Sequence, residues 1–344
     1  MSFDRLKVEI FGASHAESIG AVVQGFPSGF KVDLKALEQF AKRRLSTGKF
    51  TTPRKEEDKF TVTGLVDGKT LGKIAFEIEN KNVKSSDYKK INSIPRPSHA
   101  DYPCYVKYGK IFEGGGNYSG RMTAPLTLVG GVAEQMLLNL GITVKAYVYS
   151  IGNVKGRSYK DGYEKADELG LNLDKAQKVL EAAQKEGDSL GGTVECIVQG
   201  MPIGVGDALF SGLEGKIASN VFAIPAVKGI EFGSGFDLSS MKGSEANDPI
   251  VLVGNKIKIK TNKAGGINGG MSNGEDITLK VAFRPTPSIS KPQKSVDLKS
   301  MDNVELKIGG RHDVCFVPRA AVVVEAVVAL SVLDSVLVED LWKN

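Results

Sequence analysis

Residues 22–29 read VVQGFPSG and residues 197–204 read IVQGMPIG, so an apolar strand running into a Gly-x-Pro-x-Gly turn is written twice in this chain. A second echo follows in the same order. Gly114, Gly115, Gly116, Arg121, Pro125 and the apolar segment 126–140 are matched loosely by Gly309, Gly310, Arg311, Pro318 and the apolar segment 319–333. Two echoes in one order predict a single domain over residues 1–344 with two pseudo-equivalent halves, roughly 1–150 and 190–344. Chance likeness of two short strand-turn patterns is the competing reading.

Working outward, period-two alternation marks strands near 6–11, 21–24, 60–63, 74–78 and 144–149, with a turn at Asp67-Gly68. Asp33 is placed to cap a helix over about 34–44. Lys42, Arg43 and Arg44 close its last turn, where they either complement the helix dipole or bind a phosphate. Residues 45–57 read as a loop able to fold over a ligand. Segments 126–140 and 319–333 predict buried helices, the first ending on Gly141, and 174–186 predicts a surface helix. Gly254-Asn255 between 250–253 and 257–260 is a type II′ hairpin signal. Antiparallel strands with buried helices give an α+β protein, and neither GxGxxG nor GxxxxGK[ST] occurs to support a Rossmann or P-loop fold.

Composition excludes several classes. A net charge of +5 from 45 basic and 40 acidic residues does not describe a general nucleic-acid binder. Cys104, Cys196 and Cys315 stand far apart without CxxC spacing, which argues against a zinc site or a disulfide framework and fits a reducing compartment. The first twelve residues hold no apolar signal region. The most apolar run, 320–338, is broken by Glu325 and Asp334 and reads as a buried helix, not a membrane span. A cytoplasmic protein without nucleic-acid or membrane partners is expected.

The chemistry concentrates in residues 95–123, PRPSHADYPCYVKYGKIFEGGGNYSGRMT. Arg96 and His99 stand on a proline-stiffened loop, and a glycine tract then leads towards a helix, a usual way to present backbone N–H groups to an anion. The chain holds only 3 histidines, in Ser14-His15, Ser98-His99 and Arg311-His312-Asp313. Histidine titrates near neutral pH unaided, so these are the first candidates for acid–base work, beside the plain reading of hydrogen-bonded structural residues. Arg311 and Asp313 also read as a structural ion pair. Residues 264–274, AGGINGGMSNG, are followed by a strand and by Arg284-Pro285-Thr286-Pro287-Ser288. They read either as backbone approaching a flat ring or phosphate, or as a surface loop. So many guanidiniums suit a guest with more than one anionic group.

Taken together, these residues resemble the chorismate synthase family along nearly the whole chain. Gly12-Ala13-Ser14-His15-Ala16 through Pro27 is similar to its first signature, usually Gly-Glu-Ser-His-Gly. Arg96-Pro97-Ser98-His99-Ala100-Asp101 is similar to its Arg-Pro-Gly-His-Ala-Asp segment, and Gly114 to Arg121 resembles its second signature. Gly310-Arg311-His312-Asp313 with Pro318-Arg319-Ala320 and Glu325-Ala326 resembles the third. Lesser matches are Thr51-Thr52, Ala226-Val227-Lys228-Gly229, Ala264-Gly265-Gly266 and Pro285-Thr286.

The resemblance implies a helical layer between two antiparallel sheets, assembled as a homotetramer. It implies a lyase of the shikimate pathway that removes phosphate from 5-enolpyruvylshikimate 3-phosphate by anti-1,4-elimination to give chorismate. Reduced FMN would be required without net consumption, reduced either by this chain with NADPH or by an external source, with NADPH then an indirect reductant. Carried over by motif, His15 protonates the departing phosphate, His99 stabilises the reduced flavin near N1, and Asp313 assists proton removal. Flavin contacts fall on Asn117, Tyr118, Ser119, Ala226, Gly269, Arg284, Pro285, Thr286, Pro287, Ser288 and Arg311. Arg43, Lys49 and Arg121 match positions for substrate or NADP phosphate. Ala13 replaces the usual Glu, Ala16 the usual Gly, Asn117-Tyr118 the usual Arg-Ser, Met122 the usual Glu and Lys49 the usual Arg. These departures motivate the alternative, a flavin- or phosphate-binding relative with lost or altered activity.

Overall fold

A computed structural model describes residues 3–45, 58–80, 93–159, 170–309 and 313–342. The first sheet is antiparallel in the order β1-β2-β4-β3, made of β1 (Lys7–Gly12), β2 (Ser18–Gln24), β3 (Phe60–Val66) and β4 (Lys69–Glu79). The second begins with β5 (Thr143–Ile151), β6 (Val154–Lys155), β7 (Gly192–Gln199) and β8 (Val227–Phe232). Two short hairpins intervene, β9 (Ile250–Val253) with β10 (Lys256–Ile259), and β11 (Ile267–Asn268) with β12 (Met271–Ser272). Strand β13 (Ile277–Phe283) then completes an antiparallel sheet ordered β6-β5-β7-β13-β8. With the two-residue β6 set aside, both sheets place their strands in the order first, second, fourth, third. A last hairpin, β14 (Gln293–Asp297) and β15 (Asp302–Leu306), stands apart.

The helices are α1 (Leu34–Lys42), α2 (Asp101–Tyr108), α3 (Thr123–Asn139), α4 (Leu173–Lys185), α5 (Leu213–Val221), α6 (Gly243–Ala246) and α7 (Val317–Val338). Helix α3 packs on β2 and β4, α7 packs on β5 and β7, and the two helices pack on each other. Alternation explains the layers: Ile19, Ala21 and Val23 of β2 and Ile74, Ile78 and Phe76 of β4 all turn into the core. Helices α3 and α7 lie between sheets, so they are apolar on nearly every side, where a surface helix would show one stripe. By length and composition α7 could cross a membrane, yet 89% of its most apolar window is buried inside the protein.

Local signals were placed well. Asp33 caps α1 by accepting from the Lys35 and Ala36 N–H groups at 2.9 and 3.0 Å. The expected helix to residue 44 stops at Lys42, and the chain goes on through a tighter turn in which the Arg43 and Arg44 N–H groups reach Phe40 O and Ala41 O at 3.2 and 3.0 Å. Helix α3 begins at Thr123, three residues earlier than expected, since Pro125 falls in the first turn, where a missing N–H leaves no intrahelical bond unmade. It ends in a Schellman motif: Gly141 takes φ +76°, its N–H reaches Leu138 O, and the Ile142 N–H reaches Leu137 O. The β9–β10 turn is Gly254-Asn255 with φ +60° at Gly254, as a type II′ turn requires.

Two carboxylates on α7 work inside the core. Asp334 accepts from the N–H groups of Asp4, Arg5 and Leu6 at 2.9, 2.8 and 2.8 Å, tying the chain ahead of β1 to the far end of α7. Glu325 takes both guanidinium nitrogens of Arg43 at 2.6 and 2.8 Å and the Ala146 N–H of β5 at 2.7 Å. Replacing Asp334 by Ala leaves backbone donors without acceptors and is expected to cost about 2–4 kcal/mol. Denaturant unfolding of the variant beside the parent checks this; an unshifted midpoint would remove the role.

Candidate functional site

The connection from β1 to β2 is a tight turn closed by the Ala16 N–H on Ala13 O at 3.0 Å, which puts Ser14 and His15 at its two central positions. The Ser14 hydroxyl donates to Gly114 O at 3.2 Å and lies 3.2 Å from His15 Nδ1. Its one proton is used on Gly114, so it accepts from Nδ1–H. That fixes the neutral tautomer, with Nε2 as the ring's acceptor nitrogen.

Gly114, Gly115 and Gly116 take φ of +58°, +85° and +52°, a run of left-handed backbone that only glycine adopts without strain. Space demands glycine as well. A Cβ on Gly114 would overlap the His15 ring, and one on Gly115 would stand 3.4 Å from Cε1 and Nε2 of His99. The tract therefore lies between the two histidines, with its backbone against both.

His99 is held by a buried ion cluster. Its Nδ1 lies 2.7 Å from Asp101 Oδ1, and Arg96 donates to the same carboxylate through Nε, Nη2 and its backbone N–H at 2.7, 2.9 and 3.0 Å. A carboxylate only accepts, so His99 Nδ1 carries a hydrogen and Nε2 faces Gly115. Ser98, beside it, takes φ +58°, a strained value at the place where the family pattern has glycine. Burial pushes the Asp101 carboxyl up, but the Arg96 and His99 hydrogen bonds together outweigh it and hold the group well below the usual carboxylate range. A depressed carboxylate contributes stability that is present above its unfolded pKa of about 4 and is lost as pH falls towards the folded value. Asp101→Asn is thus expected to be less stable at neutral pH and to lose less stability between about pH 5 and pH 2. Denaturation curves across that window measure it; parallel acid limbs would contradict it.

A second network reaches the same turn from the other side. Asp58 binds Arg121 with one carboxylate oxygen and Arg44 Nη1 with the other, the latter at 2.8 Å. Arg121 Nε donates to Asn80 Oδ1 at 3.2 Å, and Asn80 Nδ2 donates to Ala13 O and Ala16 O at 3.1 and 2.8 Å. Arg44, expected to complement the helix dipole or bind a phosphate, pairs with Asp58, whereas Asp58 and Asn80 carry no site reading in the sequence. Asn80 carried only a weak signal, a polar residue just past an alternating strand.

The second half reaches the site through Ser288, which accepts from Arg96 Nη1 at 3.2 Å. It ends the segment Arg284, Pro285, Thr286, Pro287 and Ser288 that follows β13. Ser189 Oγ donates to Thr286 O at 2.7 Å and the Arg284 N–H donates to Ala226 O at 3.1 Å. Burial lowers the Arg284 guanidinium from its usual value. Ala226 takes φ +74°, uncommon for a residue with a Cβ. Asn117, Tyr118 and Ser119 continue directly from the glycine tract, with Ser119 N–H on Gly116 O at 3.3 Å. A hydrogen bond to Tyr108, then burial, pushes the Tyr118 phenol up to about 12.

Other expected residues fall elsewhere. The described contacts of Arg43 join it to Glu325 and to the Phe40 ring, and none joins it to the histidines. Asp313 pairs with Arg319, six residues on, while Arg311, its expected partner, lies outside the described residues. Gly269 lies in the β11–β12 turn, whose Gly270 O accepts from the Leu213 N–H at the start of α5. Lys49, Arg311, His312 and the expected loop beyond residue 45 up to 57 lie outside the described residues.

A flavin suits what is present. Among the described residues the buried Thr286 Oγ1 has no hydrogen-bond partner, and it lies two residues beyond Arg284, whose N–H meets Ala226 O. An orphaned hydroxyl, a backbone stripped of Cβ atoms and several cations fit a planar, acceptor-rich, phosphorylated group.

Comparison with known proteins agrees with this arrangement. The family model described as chorismate synthase matches residues 6–337. Proteins named chorismate synthase from Korarchaeum cryptofilum and Thermococcus kodakarensis are 41% and 40% identical, covering 96% and 98% of this chain and the same shares of their own lengths. One from Dehalococcoides mccartyi is 40% identical over 96% of this chain and 94% of its own. A crystal structure of a chorismate synthase superposes with a TM-score of 0.75 at 24% identity, over 98% of this chain and 93% of that one, and shares the fold.

Proposed function

The chain belongs to the chorismate synthase family, and on that premise we propose that it converts 5-enolpyruvylshikimate 3-phosphate to chorismate by anti-1,4-elimination of phosphate. The observation that carries the reading is the seating of His15 and His99 against neighbouring glycines of one tract. His15, with Nδ1–H committed to Ser14, gives the proton at Nε2 to the departing phosphate. Arg121, flanked by Asp58 and Asn80, is the guanidinium for that phosphate. Arg43 and Lys49 remain proposed phosphate positions by motif alone. His99, fixed by Asp101, presents Nε2 across Gly115 to the cofactor edge, and Asp313 assists removal of the substrate proton.

Reduced FMN, when bound, supplies electron density to the allylic centre. Asn117, Tyr118, Ser119, Ala226, Arg284 to Ser288, Arg311 and Gly269 would hold it, with the Thr286 hydroxyl available as a donor. The protein's own contribution is orientation and a cationic pocket closed to water. We further propose a cytoplasmic homotetramer without nucleic-acid or membrane partners, fed with reduced flavin from outside. Self-association is supported by the exposure of Phe210 at 99% and Leu209 at 88%, and by Ile250, Leu252 and Ile257 on the β9–β10 hairpin.

The test is anaerobic incubation of the protein with reduced FMN and the substrate, reading phosphate and chorismate. Product above the protein-free control supports the reading. Flavin binding without product would instead favour the altered-activity relative, for which Ala13 and Met122 are the motive. Light scattering reads the assembly.

A further inference from the structure

We propose that Asn80 is a positioning residue of this site, its one amide group locking the His15 turn and Arg121 into a single unit. The inference rests on the reading of His15 as the proton donor. Asn80 stands one residue past β4, and its backbone N–H continues the ladder onto Glu17 O at 2.9 Å. That step sets its side chain under the β1–β2 turn.

The side chain is used at both ends. Its NH2 group donates to Ala13 O and Ala16 O, the carbonyls of the first and last residues of the turn that carries His15. Its carbonyl accepts from Arg121 Nε. Only one orientation of the amide satisfies these partners, because two carbonyls demand donors and a guanidinium demands an acceptor. Among side chains of this length, a carboxylate lacks the donors and an apolar group lacks both functions. Arg121 is gripped again by Asp58, whose other oxygen holds Arg44, so the guanidinium cannot follow a displaced turn without breaking an ion pair. The opposite side of the imidazole is bounded by Gly114, where no Cβ intervenes. His15 is thus set by Asn80 through the backbone on one side and by the glycine tract on the other. Asn80 need touch neither substrate nor cofactor to matter.

The small histidine count makes a direct test practical. In protein labelled at its imidazoles, three ring signals are expected, and His15→Asn identifies the one from His15. Asn80→Ala and Asn80→Asp are then titrated beside the parent. Asn80→Asp keeps size and acceptor but turns a carboxylate oxygen towards two carbonyls. The expected result is that the His15 ring signal alone moves, because its turn has lost the two bonds that hold it, while the His99 signal keeps its parental position. Turnover should fall by about 10- to 100-fold in both variants with the thermal midpoint little changed. An unmoved His15 signal in both variants would overturn the proposal, and so would equal movement of all three signals, which marks general loosening. If the parent protein makes no chorismate, the functional reading fails, and the ring signals still decide whether Asn80 positions His15.

Discussion

Gly114→Ala is expected to lower turnover by at least about 100-fold, the scale of a catalytic group displaced by an ångström, while the protein still unfolds cooperatively. Two effects act together. The backbone there sits at φ +58°, where a Cβ costs about 1–2 kcal/mol. The new methyl would also occupy the space of the His15 ring, so either the imidazole or the tract must shift. Since His15 is buttressed by Ser14, which itself bonds to Gly114 O, both ends of the relay move at once. Gly115→Ala is the internal control: its Cβ meets His99 at 3.4 Å, a contact the ring can relieve by a few tenths of an ångström. The smaller loss should fall on Gly115→Ala. Steady-state turnover and thermal unfolding of both variants check the order, and near-parental turnover in Gly114→Ala would refute the assignment of His15.

The second large effect falls on the fold. Gly130→Ala is expected to destabilise by about 3 kcal/mol, because a Cβ there would overlap Cα, Cβ and the carbonyl oxygen of Ala326 where α3 crosses α7. Neither helix can retreat, for each is backed by a sheet. Ala326→Gly in the same chain removes only the side-chain part of the overlap and should restore a fraction of the loss. Denaturant midpoints of the single and double variants measure both; an unshifted Gly130→Ala midpoint would show that the crossing has slack.

Much of this architecture could be read from residue patterns because its causes are local. The Asp33 cap, the Gly141 terminus, the Gly254-Asn255 turn and the buried character of residues 320–338 each depend on a few neighbouring side chains. The motifs likewise marked His15, His99 and the glycine tract. The pairing of charges was not legible, since it is decided by which loops meet. Arg43 sits at the C-cap of α1, and nothing near it in the chain announces Glu325 as its partner. Glu325 itself reads as an interruption of an apolar run and as part of the third signature, neither of which names a cation. Asp58 meets Arg121 from across 63 positions, and Asn80 reaches back to Ala13 across 67. Asp313 meets Arg319 because the first turn of α7 carries that guanidinium, six residues on.

Asp334 carries a consequence in time. It is the acceptor for the N–H groups that lead into β1, an edge strand of its sheet, and 330 positions separate it from Asp4. At roughly 5–20 residues per second of synthesis, those first donors wait from about a quarter of a minute to a minute for the carboxylate that will receive them. During that interval these donors at the leading edge of the nascent chain lack the acceptor that the finished protein gives them.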